Sequence, residues 1–179
     1  MAANHPFWPR RWLMTDERLG ERLWEAVDKL PTGGGIIFRH YSLPPPARLE
    51  LGLRLADQAK ARQLVLGVAG SVDLAVRLGA ALIHNRDAPG TFPHSLAIHD
   101  DEDAEAARTG GVALAFIAPV FATRSHPHRA ALGIVRAVEL ASLAGCHAIA
   151  LGGMNEERFA VLSERGFHGY AGIDCWLRT

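Results

Sequence analysis

Short runs of aliphatic and β-branched residues recur along the chain, mostly separated by stretches in which Ala, Leu, Arg and Glu fall at helical spacing. Continuous apolar runs suit strands buried on both faces, and the intervening stretches suit the crossovers that parallel strands need. The pattern predicts strands over residues 11–14, 35–39, 64–68, 80–84, 95–99, 113–119, 148–151 and 169–173. Helices are expected over 17–30, 47–62, 72–78, 101–109, 134–144 and 156–165. In the first of these Leu19, Leu23, Ala26, Val27 and Leu30 share a face, and Pro31 with Gly33, Gly34 and Gly35 stops it. Acidic residues open the helix at 101, where they meet the positive end of its dipole.

Eight strands joined by helices predict an α/β fold, a compact (β/α)8 barrel of TIM type, with an open doubly wound sheet as the alternative. At 179 residues the chain is shorter than the roughly 200 such barrels usually need, so one crossover should be trimmed. Residues 85–94 contain Pro89, Gly90 and Pro93 and are too short for a crossover helix, so the helix between strands four and five is expected to be missing. No linker, fixed-period repeat or low-complexity tract divides residues 1–179, and a single barrel domain is expected.

Composition narrows the partners. Nineteen Lys and Arg balance nineteen Asp and Glu, which leaves no summed field to hold nucleic acid, so an anion must be caught locally. No apolar run approaches the roughly 20 residues of a membrane span, and MAANHPFWPRRWLM lacks the order and length of a secretory signal. A soluble, cytoplasmic protein without membrane or nucleic-acid partners is expected. Cys146 and Cys175 show no disulfide framework or metal spacing and read as reduced thiols. Trp8, Trp12 and Trp176 suit either a cover over the barrel bottom or a homodimer contact.

In such barrels chemistry sits at the C-terminal strand ends, with phosphate often held after strands seven and eight. Gly152 and Gly153 follow the seventh strand and precede a helix, where backbone amides and a helix N-terminus can meet an anion. Gly172 and Ile173 occupy the corresponding place at the eighth. Residues 118–129 read as a lid: Thr123, Arg124, Ser125, His126, His128 and Arg129 offer donors for phosphate without a repelling carboxylate. His40, His84, His99 and His126 fall at strand ends facing one mouth, as acid–base groups, as backbone-bonded residues, or as metal ligands.

Several stretches, taken in order, resemble the thiamine phosphate synthase and thiazole tautomerase superfamily: WLMTDERL, Phe38-Arg39, VDLAVRLGAALIH, AIHDDEDAEAA, APVFATRSHP and ALGGMNEERFAVLSERGFHGYAGI. The resemblance spans most of the chain and implies a transferase of thiamine biosynthesis. In the synthases a pyrimidine pyrophosphate loses pyrophosphate, held by magnesium, and the nitrogen of a thiazole phosphate captures the pyrimidine cation. The resemblance implies that Arg39 binds the pyrophosphate substrate, that Thr123 and Ser125 are the lid hydroxyls, and that His126 stands where the lid has Lys. It also implies that Gly152, Gly153, Gly172 and Ile173 cradle the thiazole phosphate. Ala69-Gly70 replace the family's Asn-Asp, Tyr41 replaces a Lys and Ala97 a Ser, and Asp87 is a displaced candidate for the second magnesium ligand. The tautomerase branch's lid-entry His position falls near Ala118-Pro119. A synthase, a metal-independent isomerase of a phosphorylated heterocycle using His84, His99 or His126, and a non-catalytic binder of thiazole or thiamine phosphate are the three readings that follow.

Overall fold

A computed structural model describes residues 8–85, 92–123 and 130–177. Its strands are β1 (Arg11–Met14), β2 (Gly35–Phe38), β3 (Val65–Ala69), β4 (Leu82–His84), β5 (His94–Ile98), β6 (Leu114–Ile117), β7 (His147–Leu151) and β8 (Gly169–Gly172). Six helices accompany them among the described residues: α1 (Arg22–Lys29), α2 (Pro45–Ala61), α3 (Val72–Arg77), α4 (Asp101–Thr109), α5 (Gly133–Ala144) and α6 (Glu156–Ser163). Each strand pairs parallel with the next, and β8 returns to β1 with Trp12 beside Ala171 and Leu13 beside Gly172. That closure decides between the two expected architectures in favour of the barrel. Among the described residues no helix lies between β4 and β5, and the middle of that connection, residues 86–91, lies outside them.

The expected elements recur with bounds shifted by local chemistry. The long helix expected from residue 17 is split into a 3-10 turn at Glu17–Leu19, capped by the Asp16 side chain, and α1. Gly20, at φ +49°, turns the chain between them. Helix α2 starts earlier than expected because Pro45 and Pro46 stand in its first turn, where a missing N–H costs nothing. Strand β6 stops at Ile117, two residues before Pro119, which has no amide for the ladder.

The lumen is filled rather than open. Trp12 of β1 meets Phe116 of β6 edge-on at 5.8 Å, and His84 of β4 meets the same ring at 5.1 Å. These strands are not neighbours, so all three side chains point inward. Gly35 makes room for Trp12, since a Cβ there would fall inside the indole ring. Trp12 is fully buried and Trp176 nearly so, stacked on Tyr170 at 5.6 Å and donating to the Trp12 carbonyl. Both are therefore used within the fold, and Trp8 packs half-buried on the core. Both cysteines are free thiols. Among the described residues no helix is long and apolar enough to cross a membrane.

Candidate functional site

A cavity of about 270 Å³ opens at the C-terminal strand ends. Among the described residues every strand end except that of β3 contributes to it, through Met14, Arg39 and Tyr41, His84 and Asn85, Ala97 and His99, Ala118, Pro119 and Thr123, and the loops after β7 and β8. Arg39, Thr123, Gly152, Gly153, Gly172, Ile173, His84 and His99 thus come together in one pocket, as the sequence reading expects. Asp87, Arg124, Ser125, His126 and Arg129 lie outside the described residues.

The β7 turn owes its two glycines to backbone geometry. Gly152 has φ +96° and Gly153 φ +62°, and added Cβ atoms would meet Pro119 at 2.7 Å and the Ala122 carbonyl at 2.7 Å. The close approach is held by Val120 N–H donating to the Leu151 carbonyl and Phe121 N–H to that of Gly152. Gly153, past the end of β7, has no acceptor for its amide among the described residues, so that amide remains available to an anion. Helix α6 begins beyond them, capped by Asn155, whose side chain accepts from the Arg158 amide. Arg158 donates to the Gly153 carbonyl and covers Phe121 at 4.5 Å, bringing a cation that the sequence reading passed over. At β8, Gly172 leaves no space for a Cβ beside the Cys175 sulfur.

Arg39 leaves β2 and folds back on β1. Its Nε donates to the Thr15 carbonyl at 2.7 Å and its Nη2 lies 3.4 Å from Asp16, which Arg18 also engages. Burial lowers the Arg39 pKa below the ordinary guanidinium value while the Asp16 charge opposes it. Asp16 in turn sits below the usual carboxylate range: burial works to raise it, but bonds from Arg18 outweigh that.

His84 is buried at the end of β4, its Nδ1 3.0 Å from the Ser95 hydroxyl, and burial together with the Arg39 charge pushes it down to about 3. It is a neutral imidazole at physiological pH. His99 donates from Nδ1 to the Ala118 carbonyl at 2.7 Å, since a carbonyl only accepts. His40 does not join them. It is buried against Thr15, whose hydroxyl lies 3.0 Å from its Nδ1, and is absent from the cavity wall. A strand-end side chain reverses face with a one-residue shift, which pattern alone does not settle.

Sequence reasoning missed other wall residues. Asn85 takes φ +52° and accepts the Ala97 amide at 2.8 Å, tying β4 to β5; its signal was the tolerance of Asn for left-handed backbone. Asp174 brings a carboxylate next to the Gly172 turn, one residue beyond the expected cradle, and opposes an anion on that side. Cys175 is pushed up to about 12 by burial and is a neutral thiol there. Tyr41 lines the rim and is 57% exposed.

The described residues do not fit magnesium. Ala69 and Gly70 carry no side-chain oxygen, and the Ala69 carbonyl already accepts from Arg48, so a divalent ion there would face a guanidinium. Among the described residues no group of three His, Cys, Asp or Glu side chains could hold a metal ion.

The family described as thiamine monophosphate synthase matches residues 95–175. A protein of Aquifex aeolicus (strain VF5) named "Putative thiamine-phosphate synthase 2" is 25% identical over 94% of this chain and 98% of its own. The structure of thiamine phosphate pyrophosphorylase from Pyrococcus furiosus superposes with a TM-score of 0.78 at 20% identity, covering 92% of this chain and 85% of that one. The corresponding protein of Bacteroides thetaiotaomicron gives 0.62 at 16% identity, over 93% and 83%. At those identities the two structures speak for the fold alone.

Proposed function

We propose, from the premise that this chain is a divergent member of the thiamine phosphate synthase and thiazole tautomerase superfamily, that it joins a pyrimidine pyrophosphate to a thiazole phosphate. The observation that supports this reading is that one pocket gathers a cationic group and backbone N–H donors from two separate loops. Arg39 stands after β2, and the Gly153 amide stands after β7 with Arg158 behind it. Two phosphorylated substrates that react with each other need two such stations, with the reacting carbon and nitrogen between them.

In the reaction the bond from the pyrimidine methylene carbon to the pyrophosphate oxygen breaks, and the electron pair leaves with pyrophosphate. The thiazole nitrogen supplies the pair for the new carbon–nitrogen bond, giving thiamine phosphate. Arg39 binds the departing group and meets its growing negative charge with a fixed positive one. His84, neutral and held by Ser95, orients the pyrimidine by a hydrogen bond at the pocket wall. Thr123 contributes a hydroxyl from the loop after β6. The phosphate of the thiazole takes the Gly153 amide of the β7 turn and the backbone at Gly172 and Ile173.

A second reading, a metal-independent isomerase of a phosphorylated heterocycle, is favoured by His84 and His99 at the ends of adjacent strands in a pocket where, among the described residues, no group of three side chains could hold a metal ion. Imidazole side chains move protons without a metal.

Incubating the protein with both substrates, with and without magnesium, and following thiamine phosphate decides between them. Product that depends on Arg39, and falls by about a hundredfold or more in Arg39→Met, supports the synthase. Proton exchange or isomerisation of thiazole phosphate without coupling supports the isomerase. Tight binding with neither reaction makes the chain a sensor.

A further inference from the structure

The rim at the ends of β2 and β3 is built from planar groups laid one on another. His40 tilts over Phe38 with ring centres 5.3 Å apart, the Arg48 guanidinium of α2 lies 5.6 Å from the Phe38 ring, and the same guanidinium lies 5.5 Å from Tyr41. Arg48 is held in place from two sides, its Nη2 donating to the Arg39 carbonyl at 2.7 Å and to that of Ala69 at 2.9 Å. Its Nε is buried with no partner among the described residues, so the group is retained for its position at some cost.

Tyr41 is the open end of this series. It lines the cavity, yet more than half of it is exposed, unlike the Phe38 ring beneath, which is fully buried. Next to it Gly70, at φ +80°, carries no side chain, and even an added Cβ would come only within 3.9 Å of the Tyr41 ring. Among the described residues nothing else, apart from the chain neighbours of Gly70, lies within 4 Å of that point. A tyrosine on an ordinary surface needs neither a clamped guanidinium under one face nor a bare turn beside it.

We propose that Tyr41 is a specificity-determining platform that stacks on the planar aminopyrimidine ring of the ligand, and that Arg48 is a positioning residue that holds the platform. The ring becomes the next layer of the series, with Arg39 at its anionic substituent. The proposal rests on the reading above only in placing a ring-bearing ligand in this pocket. It also separates two tasks, ring recognition at Tyr41 and phosphate capture after β7.

The test measures affinity for a neutral hydroxymethyl aminopyrimidine, for thiazole phosphate and for inorganic phosphate in four proteins: wild type, Tyr41→Phe, Tyr41→Ala and Arg48→Met. Melting temperatures report whether each variant is folded. Tyr41→Ala should bind the aminopyrimidine about tenfold more weakly, the scale of one lost stacking partner, and Tyr41→Phe should stay within about twofold of wild type. Arg48→Met should weaken the same ligand while inorganic phosphate binds equally to all four, which a general disturbance of the fold would not allow. Equal aminopyrimidine affinity in wild type and Tyr41→Ala overturns the proposal, as does a parallel loss of phosphate. A wild type that binds thiazole phosphate but no aminopyrimidine also overturns it and leaves the phosphate station standing. Aminopyrimidine binding that depends on Tyr41, with no phosphate bound, upholds the platform and fails the reading above.

Discussion

His84 carries the sharpest consequence at the scale of a single residue. Its burial beside Phe116 and Ser95 takes it from an ordinary value of 6.5 to about 3, so the folded chain resists a proton that the unfolded chain accepts. The stability this supports is complete above about pH 6.5 and drains as pH falls toward 3. Between pH 7 and pH 5 the share from His84 is on the order of 2 kcal/mol. His40 and His147 are also lowered, chiefly by burial, and add a slope of the same sign. Urea unfolding of wild type and His84→Gln at both pH values measures the difference. The variant should lose less stability on acidification, and identical losses would show that this imidazole is not held neutral. The presence of a histidine at this strand end was legible in the sequence, but its neutrality was not, because desolvation depends on Phe116 and Ser95 arriving from other strands.

At the scale of the element, α4 shows how a helix start sets a site residue. Asp100 caps the helix by accepting the Asp103 amide at 3.0 Å, and Asp103 accepts the His99 amide at 2.8 Å in return. The pair satisfies backbone donors at the helix start and holds His99 at the pocket wall. Asp100→Ala should cost about 1 kcal/mol, read as a lower urea midpoint with an unchanged slope. No change in midpoint would mean that solvent replaces the cap without loss. This helix was legible to the residue from its acidic opening and its end at Thr109. The split before α1 was less so, because a 3-10 turn and an α-helix share apolar spacing over one turn, and only the backbone at Gly20 separates them.

At the scale of the molecule, closure of the barrel brings the β2 end into one mouth with the turns after β7 and β8. Among the described residues the charge that mouth offers an anion comes from guanidinium groups, Arg39 in the wall, Arg158 behind the β7 turn and Arg48 behind the rim, with Asp174 opposing them. Sulfate affinity should therefore stay within about twofold when excess magnesium is added, since no carboxylate among the described wall residues beside Ala69 can seat the ion. Tightening of tenfold or more would show a divalent site completed by residues such as Asp87. By itself the sequence determined the alternation of strands and helices, and with it a parallel sheet whose glycine-rich turns fall at chemically active ends, because periodicity and turn chemistry are local properties. It also carried the likeness to one superfamily, through motifs kept in order along the chain. Only the tertiary structure decided that the sheet closes, that His40 turns away from the cavity while His84 lines it, that Asp174 reaches the cradle, and that Arg48 lies between Phe38 and Tyr41. Each of those depends on which distant strands and helices are brought within a few ångströms of one another, and no spacing along a single segment encodes that.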